Sequence, residues 1–207
     1  MFDAPLHYNF HVASQAGSDY DLSQIFENTL VKDQPALAVT LVENHDSQPL
    51  QSLESIVEAW FKPLAYALIL LRREGYPCLF YADYYGAHYT DKANDGKECE
   101  IWMESHKWLI DKFLYARQAY SSGDQFDYLD HPNTIGWTRL GTEDKPGAMA
   151  VVMSNGDEGK KWMEVGQPNT IYIDLTEHIK DPITTNDDGF AEFSCNGGSV
   201  SVWVPQE

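Results

Sequence analysis

The first half of the chain alternates between strand-like and helix-like patterns of apolar and polar positions. An unbroken apolar run at residues 38–42 is typical of a strand buried on both faces, and it ends in ionisable and amide side chains at 43–46. A helical pattern follows over residues 49–73, and Pro63 inside it indicates two helices in series. A strand followed by helices predicts a βα unit of a parallel sheet.

The same two patterns predict further elements in this half. Polar and apolar residues alternate at 3–12, which predicts a strand, and residues 21–28 predict a short capped helix. A second buried strand is expected at 78–81, followed by a long polar loop at 84–99 and a helix at 100–120. Strands and helices therefore follow one another, as in α/β folds.

The carboxyl-terminal part has the pattern of short strands separated by turns. Its turns include Asn155-Gly156 and Asp188-Gly189, which are typical of β-hairpins. Strand-like runs at a spacing of roughly 8 to 12 residues predict an antiparallel sandwich or barrel. A linker-like break at Ser121 divides the chain into residues 1–120 and 121–207. The strand-like runs are residues 126–129, 134–140, 148–153, 161–165, 170–175, 190–193 and 200–204.

Ionisable side chains cluster where the strand at 38–42 ends. Side chains at the carboxyl ends of parallel strands face the ligand crevice, so Glu43, His45 and Asp46 lie where chemistry is expected. A structural interpretation stays open, because an aspartate ahead of a helix is commonly an N-cap and a lone histidine is commonly structural. Asp83, at the end of the next predicted strand, either caps a helix or lines the same cleft.

Charge and composition restrict the partners. The 14 Lys and Arg against 32 Asp and Glu give a formal charge of -18, which would repel nucleic-acid phosphates and anionic lipids. No apolar run approaches the ~20 residues of a membrane span, and residues 1–5 lack the regions of a signal peptide. Cys78, Cys99 and Cys195 are odd in number and widely spaced, which favours a reducing compartment. We expect a cytoplasmic protein that binds neither nucleic acid nor membrane.

The segment Val42-Glu43-Asn44-His45-Asp46 closely resembles one that is shared by the α-amylase glycoside hydrolases. Longer segments resemble the liquefying bacterial type and its intracellular relatives. They are collinear over essentially the whole chain, which makes the resemblance specific. These segments are residues 6–11, 51–55, 60–67, 75–77, 80–81, 135–139 and 196–202.

The resemblance implies an α/β plus all-β fold, in which a (β/α)8 barrel precedes an antiparallel β-sandwich. The chain would be the carboxyl-terminal portion only, with residues 1–120 forming part of the barrel and 121–207 the sandwich. Segments 3–12, 38–42 and 78–81 would be the sixth, seventh and eighth barrel strands. The nucleophile and the general acid, which the family carries on the fourth and fifth strands, would then lie upstream of this chain.

The resemblance also implies retaining hydrolysis of internal α-1,4-glucosidic bonds in starch, glycogen and maltooligosaccharides. Asp46 would stabilise the positively charged transition state. His45, Asn44 and Asp83 would bind the substrate, and Glu43 receives no catalytic role. The chain by itself is expected to be inactive and either to need the missing barrel half or to self-associate. The alternative is a non-catalytic carbohydrate-binding or structural remnant of an α-amylase.

A weak calcium site between barrel and sandwich is a further implication of the resemblance. Its ligands would be oxygens of Ser18, Tyr20, Pro132, Asn133 and Asn155. Asn133 and Asn155 stand where the bacterial relatives carry carboxylates. Because calcium affinity rises with the charge of the ligands, the two amides should weaken the site considerably.

Overall fold

The amino-terminal part consists of helices around a short parallel sheet. The computed structural model describes residues 1–93 and 95–206. Within them the helices are α1 (Ala4–Ala16), α2 (Leu30–Asp33), α3 (Lys62–Leu71), α4 (Tyr81–Tyr85) and α5 (Lys107–Tyr120), with 3-10 turns at Gly17–Asp19, Leu22–Gln24 and Pro35–Leu37. The parallel strands are β1 (Val39–Leu41) and β2 (Tyr76–Cys78), and β3 (Ala87–Lys92) and β4 (Glu98–Met103) form an antiparallel hairpin.

β1 and β2 lie side by side, with Val39 opposite Tyr76 and Leu41 opposite Cys78. Helix α3 lies between them in the chain, which confirms the βα unit predicted from the apolar run of β1. The buried strand predicted at 78–81 is wrong in position and in burial, because β2 lies earlier and Tyr76 is 76% exposed. Among the described residues no strand pairs with the outer edge of β2, and Tyr76 and Cys78 in this strand are exposed.

Residues 4–12 belong to helix α1, with Asp3 as its N-cap, so the strand predicted at 3–12 is wrong. Leu6, Phe10 and Ala13 recur at helical spacing and all three are fully buried. Val12, which a strand would have placed inside with Leu6 and Phe10, is 52% exposed. In the described part of the chain the parallel sheet therefore has two strands rather than three.

Only the second of the two helices predicted over 49–73 forms. Helix α3 carries Pro63 in its first turn, as predicted. Residues 49–61 form turns instead. Side chains there bond to the local backbone, as when the Ser55 hydroxyl donates to the Leu53 carbonyl at 2.8 Å, and such bonds compete with a helix.

The helix predicted at 100–120 begins only at Lys107, because the hairpin strand β4 takes up its first residues. Exposed and sheltered side chains alternate along β4, which is the period of a strand. The helix predicted at 21–28 is reduced to the 3-10 turn Leu22–Gln24, whose first turn is capped by the Asp21 carboxylate.

The carboxyl-terminal part is an antiparallel β-sandwich, which confirms that prediction. The strands are β5 (Gln125–Tyr128), β6 (Thr134–Arg139), β7 (Met149–Ser154), β8 (Gly159–Glu164), β9 (Ile171–Asp174), β10 (Ile183–Thr184), β11 (Phe190–Cys195) and β12 (Ser199–Pro205). Hydrogen-bonded strands follow the order β10-β9-β12-β7-β6-β5 in one sheet and β11-β8 in the other. Their inner faces enclose buried side chains that include Met163, Tyr172, Phe193 and Trp203. The short β10 has no counterpart in the sequence-based prediction.

The six-stranded sheet packs its other face against the helices. Trp137, Val151 and Val202 belong to the same buried cluster as Leu64 and Phe113, on α3 and α5. The strands β6 and β7 are accordingly buried on both faces along their whole length. The two parts thus share one hydrophobic core.

In the part of the chain that the structure describes, no helix combines the length and apolarity that a bilayer span requires. Cys78 is exposed, Cys99 is half-buried and Cys195 is buried, and all are free thiols. Burial raises the pKa of Cys195 to about 12, so this thiol stays protonated at neutral pH.

Candidate active site

The turn after β1 exposes a histidine and an aspartate next to each other. The side chains of His45 and Asp46 are 83% and 49% exposed, and His45 Nε2 lies 3.6 Å from Asp46 Oδ1. The Asn44 side chain shapes this turn, because its Oδ1 accepts from the backbone N–H groups of Asp46 at 2.8 Å and Ser47 at 3.0 Å. Asp46 caps no helix here, since the residues that follow it form turns.

A buried ionic cluster lies directly beneath this turn. Lys62 Nζ, at the start of α3, is 3.0 Å from Glu43 Oε2 and 2.5 Å from Asp83 Oδ1. The remaining Asp83 oxygen accepts from the Tyr66 hydroxyl at 2.6 Å. The remaining Glu43 oxygen accepts from the Val57 N–H at 2.6 Å. The cluster thereby ties the end of β1 to α3 and to α4.

Burial governs the protonation of this cluster. It raises the pKa of Glu43 to about 7, against the pull of Lys62 and the Val57 N–H, and the nearby Asp83 charge adds to the rise. Burial opposes the charge on Lys62, but the two carboxylates outweigh it and the net effect raises the pKa of Lys62. One ammonium thus faces two carboxyl groups, and Glu43 is the one whose pKa lies near neutral pH.

Asp83 was predicted from the sequence to bind substrate, and its position in the structure argues against that role. The residue is fully buried in the first turn of α4, and both of its carboxylate oxygens are occupied by Lys62 and Tyr66. Its backbone oxygen accepts from the His106 N–H at 2.8 Å. We therefore assign Asp83 to the support of the site rather than to its surface.

Two histidines of α1 hold the long segment that follows the turn. His7 Nδ1 lies 2.6 Å from the Val42 carbonyl and its Nε2 lies 2.7 Å from the Ser55 hydroxyl. His11 Nδ1 lies 2.5 Å from the Ile56 carbonyl. Burial lowers the pKa of His7, against the pull of the Val42 carbonyl that faces Nδ1. The segment between residues 42 and 56 is thus anchored at both ends.

The β3–β4 hairpin supports the same segment from another side. The Tyr89 hydroxyl donates to the Pro49 carbonyl at 2.7 Å, and Gln51 Nε2 donates to Asp91 Oδ2 at 3.1 Å. These bonds hold the hairpin against the turns that follow Asp46. The site is therefore a short exposed turn whose flanking residues are held by hydrogen bonds from α1 and from the β3–β4 hairpin.

Sequence reasoning missed the two helical members of the cluster, Lys62 and Tyr66. One signal was present, because Lys62 is the sole charged residue of the apolar helix α3. A lone cation on a helix that is buried around its circumference needs a carboxylate partner. Which carboxylates it meets depends on the fold, since Glu43 and Asp83 lie 19 and 21 residues away in the chain.

The residues predicted to ligate calcium do come together, but as hydrogen-bonded amides. Asn155 Nδ2 donates to the Gly17 and Tyr20 carbonyls, both at 2.8 Å. Asn133 Nδ2 donates to the Ser18 carbonyl at 2.7 Å. These carbonyls face N–H groups, which cannot ligate a cation, so the side chains present do not fit a calcium ion. The fifth predicted ligand, the Pro132 carbonyl, accepts from the Leu22 N–H at 2.6 Å.

No family model matches the sequence. The sequence is 50% identical over 210 residues to an "Alpha-amylase" of Geobacillus stearothermophilus, covering 100% of this chain and 36% of that protein. It is 52% identical to the "Cytoplasmic alpha-amylase" of Escherichia coli (strain K12), covering 100% of this chain and 42% of that one. A "Glucan 1,4-alpha-maltohexaosidase" of Bacillus sp. (strain 707) is 49% identical, covering 99% and 38%. The chain thus spans about two-fifths of the length of the curated relatives that it matches.

Solved structures share the fold at low sequence identity. The α-amylase of Geobacillus thermoleovorans, complexed with acarbose, superposes with a TM-score of 0.61 at 17% identity, over 98% of this chain and 47% of that chain. The gamma-CGTase of Alkalophilic bacillus clarkii gives 0.60 at 18%, over 93% and 30%.

Two parallel strands with helices and a following antiparallel sandwich are the fold that the chain shares with these solved structures. The sequence relatives identify the family. The chain belongs to the α-amylase family and matches the carboxyl-terminal part of its members.

Proposed function

We propose that this chain supplies the third carboxylate of a retaining α-amylase, which cleaves internal α-1,4-glucosidic bonds of starch and glycogen once its barrel is complete. The proposal rests on one observation. Asp46 is exposed at the carboxyl end of β1, where ligands of barrel enzymes bind, and the buried cluster below it fixes its position.

Asp46 would act through its charge. Glycoside hydrolysis passes through an oxocarbenium-like transition state, and a fixed carboxylate stabilises the positive charge that develops there. His45, which is largely exposed and 3.6 Å from Asp46, would donate a hydrogen bond to a hydroxyl of the same sugar. Asn44 holds the turn that presents both side chains, since its Oδ1 binds two backbone N–H groups.

The nucleophile and the general acid would come from the rest of the barrel. A glycosidase of this kind needs both, at about 5 to 5.5 Å from each other in a retaining enzyme. The exposed outer edge of β2 is one surface that further barrel elements could cover. The exposed Phe2 and Leu53 side chains, on the opposite side of β1, are another. We therefore assign the chain little activity by itself, and α-glucans and a complementing barrel segment as its partners. The free thiols and a relative named as cytoplasmic support a cytoplasmic location.

A chimera tests this function. The upstream part of the Geobacillus stearothermophilus relative is joined to this chain, and reducing-sugar release from soluble starch is compared with that of the chain alone. We expect activity from the chimera, and loss of most of it in the chimera with Asp46→Asn. Asp144→Asn, which changes an exposed aspartate of the sandwich, serves as the matched control. Starch hydrolysis by the chain alone, or an Asp46→Asn chimera as active as the control, would contradict the proposal.

The alternative, a non-catalytic carbohydrate-binding module, is favoured by one feature of the sandwich. On the outer face of β8 and β11 the rings of Trp162 and Phe190 lie nearly parallel, at 13°, with centroids 6.3 Å apart, and Trp162 is 58% exposed. Flat exposed aromatic rings suit the apolar faces of pyranoses. Affinity electrophoresis in starch gels tests this alternative, with Trp162→Ala against Trp108→Ala, which removes another exposed tryptophan. Retardation by starch that only Trp162→Ala abolishes, in a chain whose chimera stays inactive, would favour the module.

A further inference from the structure

Two asparagine side chains join the loop after α1 to the sandwich. Asn155 follows the end of β7 and is 5% exposed, and its Nδ2 donates to both the Gly17 and the Tyr20 carbonyls at 2.8 Å. Asn133 precedes β6 and donates from Nδ2 to the Ser18 carbonyl at 2.7 Å. Three carbonyls of one short loop thus receive hydrogen bonds from two side chains that lie more than a hundred residues away.

The two amides also fix each other. Asn133 Nδ2 donates to Asn155 Oδ1 at 3.0 Å, and the Asn155 N–H donates to the Asn133 carbonyl at 3.2 Å. The orientation of the amides follows from these partners, because an oxygen in place of either Nδ2 would face carbonyl oxygens without a proton between them. We call the pair Asn133 and Asn155, with the carbonyls of residues 17, 18 and 20, the amide clamp.

In the amide clamp, hydrogen bonds neutralise the carbonyl oxygens of residues 17, 18 and 20, which a cation could otherwise neutralise by its charge. Converging carbonyl oxygens form a negative site, and calcium would fill it with oxygen ligands at about 2.3–2.6 Å. Here each of the three carbonyls already accepts a neutral N–H. Within residues 1–93 and 95–206 no group of three acidic, histidine or cysteine side chains is arranged to hold a metal.

We propose that the amide clamp replaces a cation as the joint between the loop at 17–20 and the sandwich, so that this joint holds without metal. The proposal does not depend on the chemistry of Asp46. It also predicts which change would create a cation site here. Carboxylates at positions 133 and 155 would turn the donors into charged acceptors, and the same carbonyls would then favour calcium.

Thermal melts of the full chain test the amide clamp. The wild-type melting temperature should agree within about 1 °C in calcium and in chelator, because the carbonyls that could bind a cation already accept N–H groups. The double variant Asn133→Asp with Asn155→Asp should melt several degrees lower in chelator and recover in calcium but not in magnesium, which demands a tighter octahedral site. Magnesium also controls for the screening of the chain's negative charge.

Asn9 provides a matched control, because its Nδ2 donates to the Ile25 and Glu27 carbonyls at 2.9 and 3.1 Å away from the sandwich. Asn9→Asp should lower the melting temperature with no recovery in calcium. If the double variant does not fold, Asn155→Ser with hydrogen exchange of residues 17–22 gives the second measurement, and faster exchange there is expected. A calcium-dependent melting temperature of the wild type that Asn155→Ser abolishes would overturn the proposal. Unchanged exchange in Asn155→Ser would overturn it as well.

Discussion

Lys62 Nζ lies 3.0 Å from Glu43 Oε2, and both side chains are almost wholly withdrawn from solvent. The contact joins the first turn of α3 to the last residue before the exposed turn at the end of β1. The contact restrains the exposed acid of the site, because the turn that carries Asp46 directly follows Glu43, whose side chain is held by the buried Lys62.

Removal of the ammonium should therefore be costly. Lys62→Met leaves Glu43 and Asp83 buried and facing each other, and breaking a buried pair on one side typically costs about 3–5 kcal/mol of unfolding free energy. Urea denaturation of the full chain measures the loss. Lys160→Met is the control, because Lys160 pairs with Glu192 at the surface and such pairs contribute about 0–1 kcal/mol. Equal losses in the two variants would show that the cluster does not support the fold.

The same cluster should give the protein a pH dependence of a particular sign. The pKa of Glu43 rises from its ordinary 4.5 to about 7 on folding, so the folded state keeps a proton that the unfolded state releases in between. The contribution of this group is complete below pH 4.5 and is lost as the pH rises through 7, by up to about 3 kcal/mol. Glu43→Gln removes this dependence. We expect the variant to gain stability relative to wild type between pH 5 and pH 8 in urea denaturation, and a constant difference would contradict the assignment.

In the chimera with a complete barrel, Asp46→Asn should separate binding from chemistry. The interaction of Asp46 with the sugar strengthens as positive charge develops, so kcat should fall by about 100- to 1000-fold while KM changes much less. Initial rates on maltooligosaccharides measure both constants. A variant with unchanged kcat and a raised KM would place Asp46 in substrate binding alone.

The open edge of β2 should make the isolated chain associate. An unpaired strand edge presents N–H and C=O groups that can pair with another chain, and Tyr76 in this strand is 76% exposed. Tyr76→Lys should lower the mass found by light scattering, since a charged residue at an edge discourages pairing. Tyr81→Lys introduces the same charge at a 71% exposed residue of α4 and should leave the mass unchanged. A wild-type monomer at all concentrations would contradict the prediction.

The secondary structure of the sandwich was predicted from the sequence more accurately than that of residues 1–120, for a physical reason. Strand β7 is a nearly continuous apolar run, and β12 alternates serine with apolar residues before Trp203, so pattern and strand agree there. The Asn155-Gly156 turn, which the sequence predicted as a hairpin, instead joins β7 to β8 of the other sheet. At residues 3–12 the apolar positions satisfy both a strand and a helix, and only the burial of Ala13 and exposure of Val12 separate them. Local pattern cannot decide between two periods that both place Leu6 and Phe10 inside.

The exposed residues of the site, His45 and Asp46, could be found from their place after an apolar strand. The buried ionic cluster that supports them could not be found in this way. Glu43, Lys62 and Asp83 meet because β1, α3 and α4 pack together, and nothing in the spacing of these residues states that they touch. The amide clamp was anticipated only as a weakened calcium site, because the direction in which an amide presents its N–H groups is set by the carbonyls around it.

The core that the sandwich shares with α3 and α5 sets the rules for exchanging parts between relatives. A seam near residue 121 gives the sheet face with Trp137 and Val202 to one parent, and the helix face with Leu64 and Phe113 to the other. Side chains that pack at the density of a crystal tolerate such a mixed origin poorly, even when each half is native. Parts exchanged between relatives should therefore be chosen by their shared packing, so that α3 and the sandwich come from the same parent.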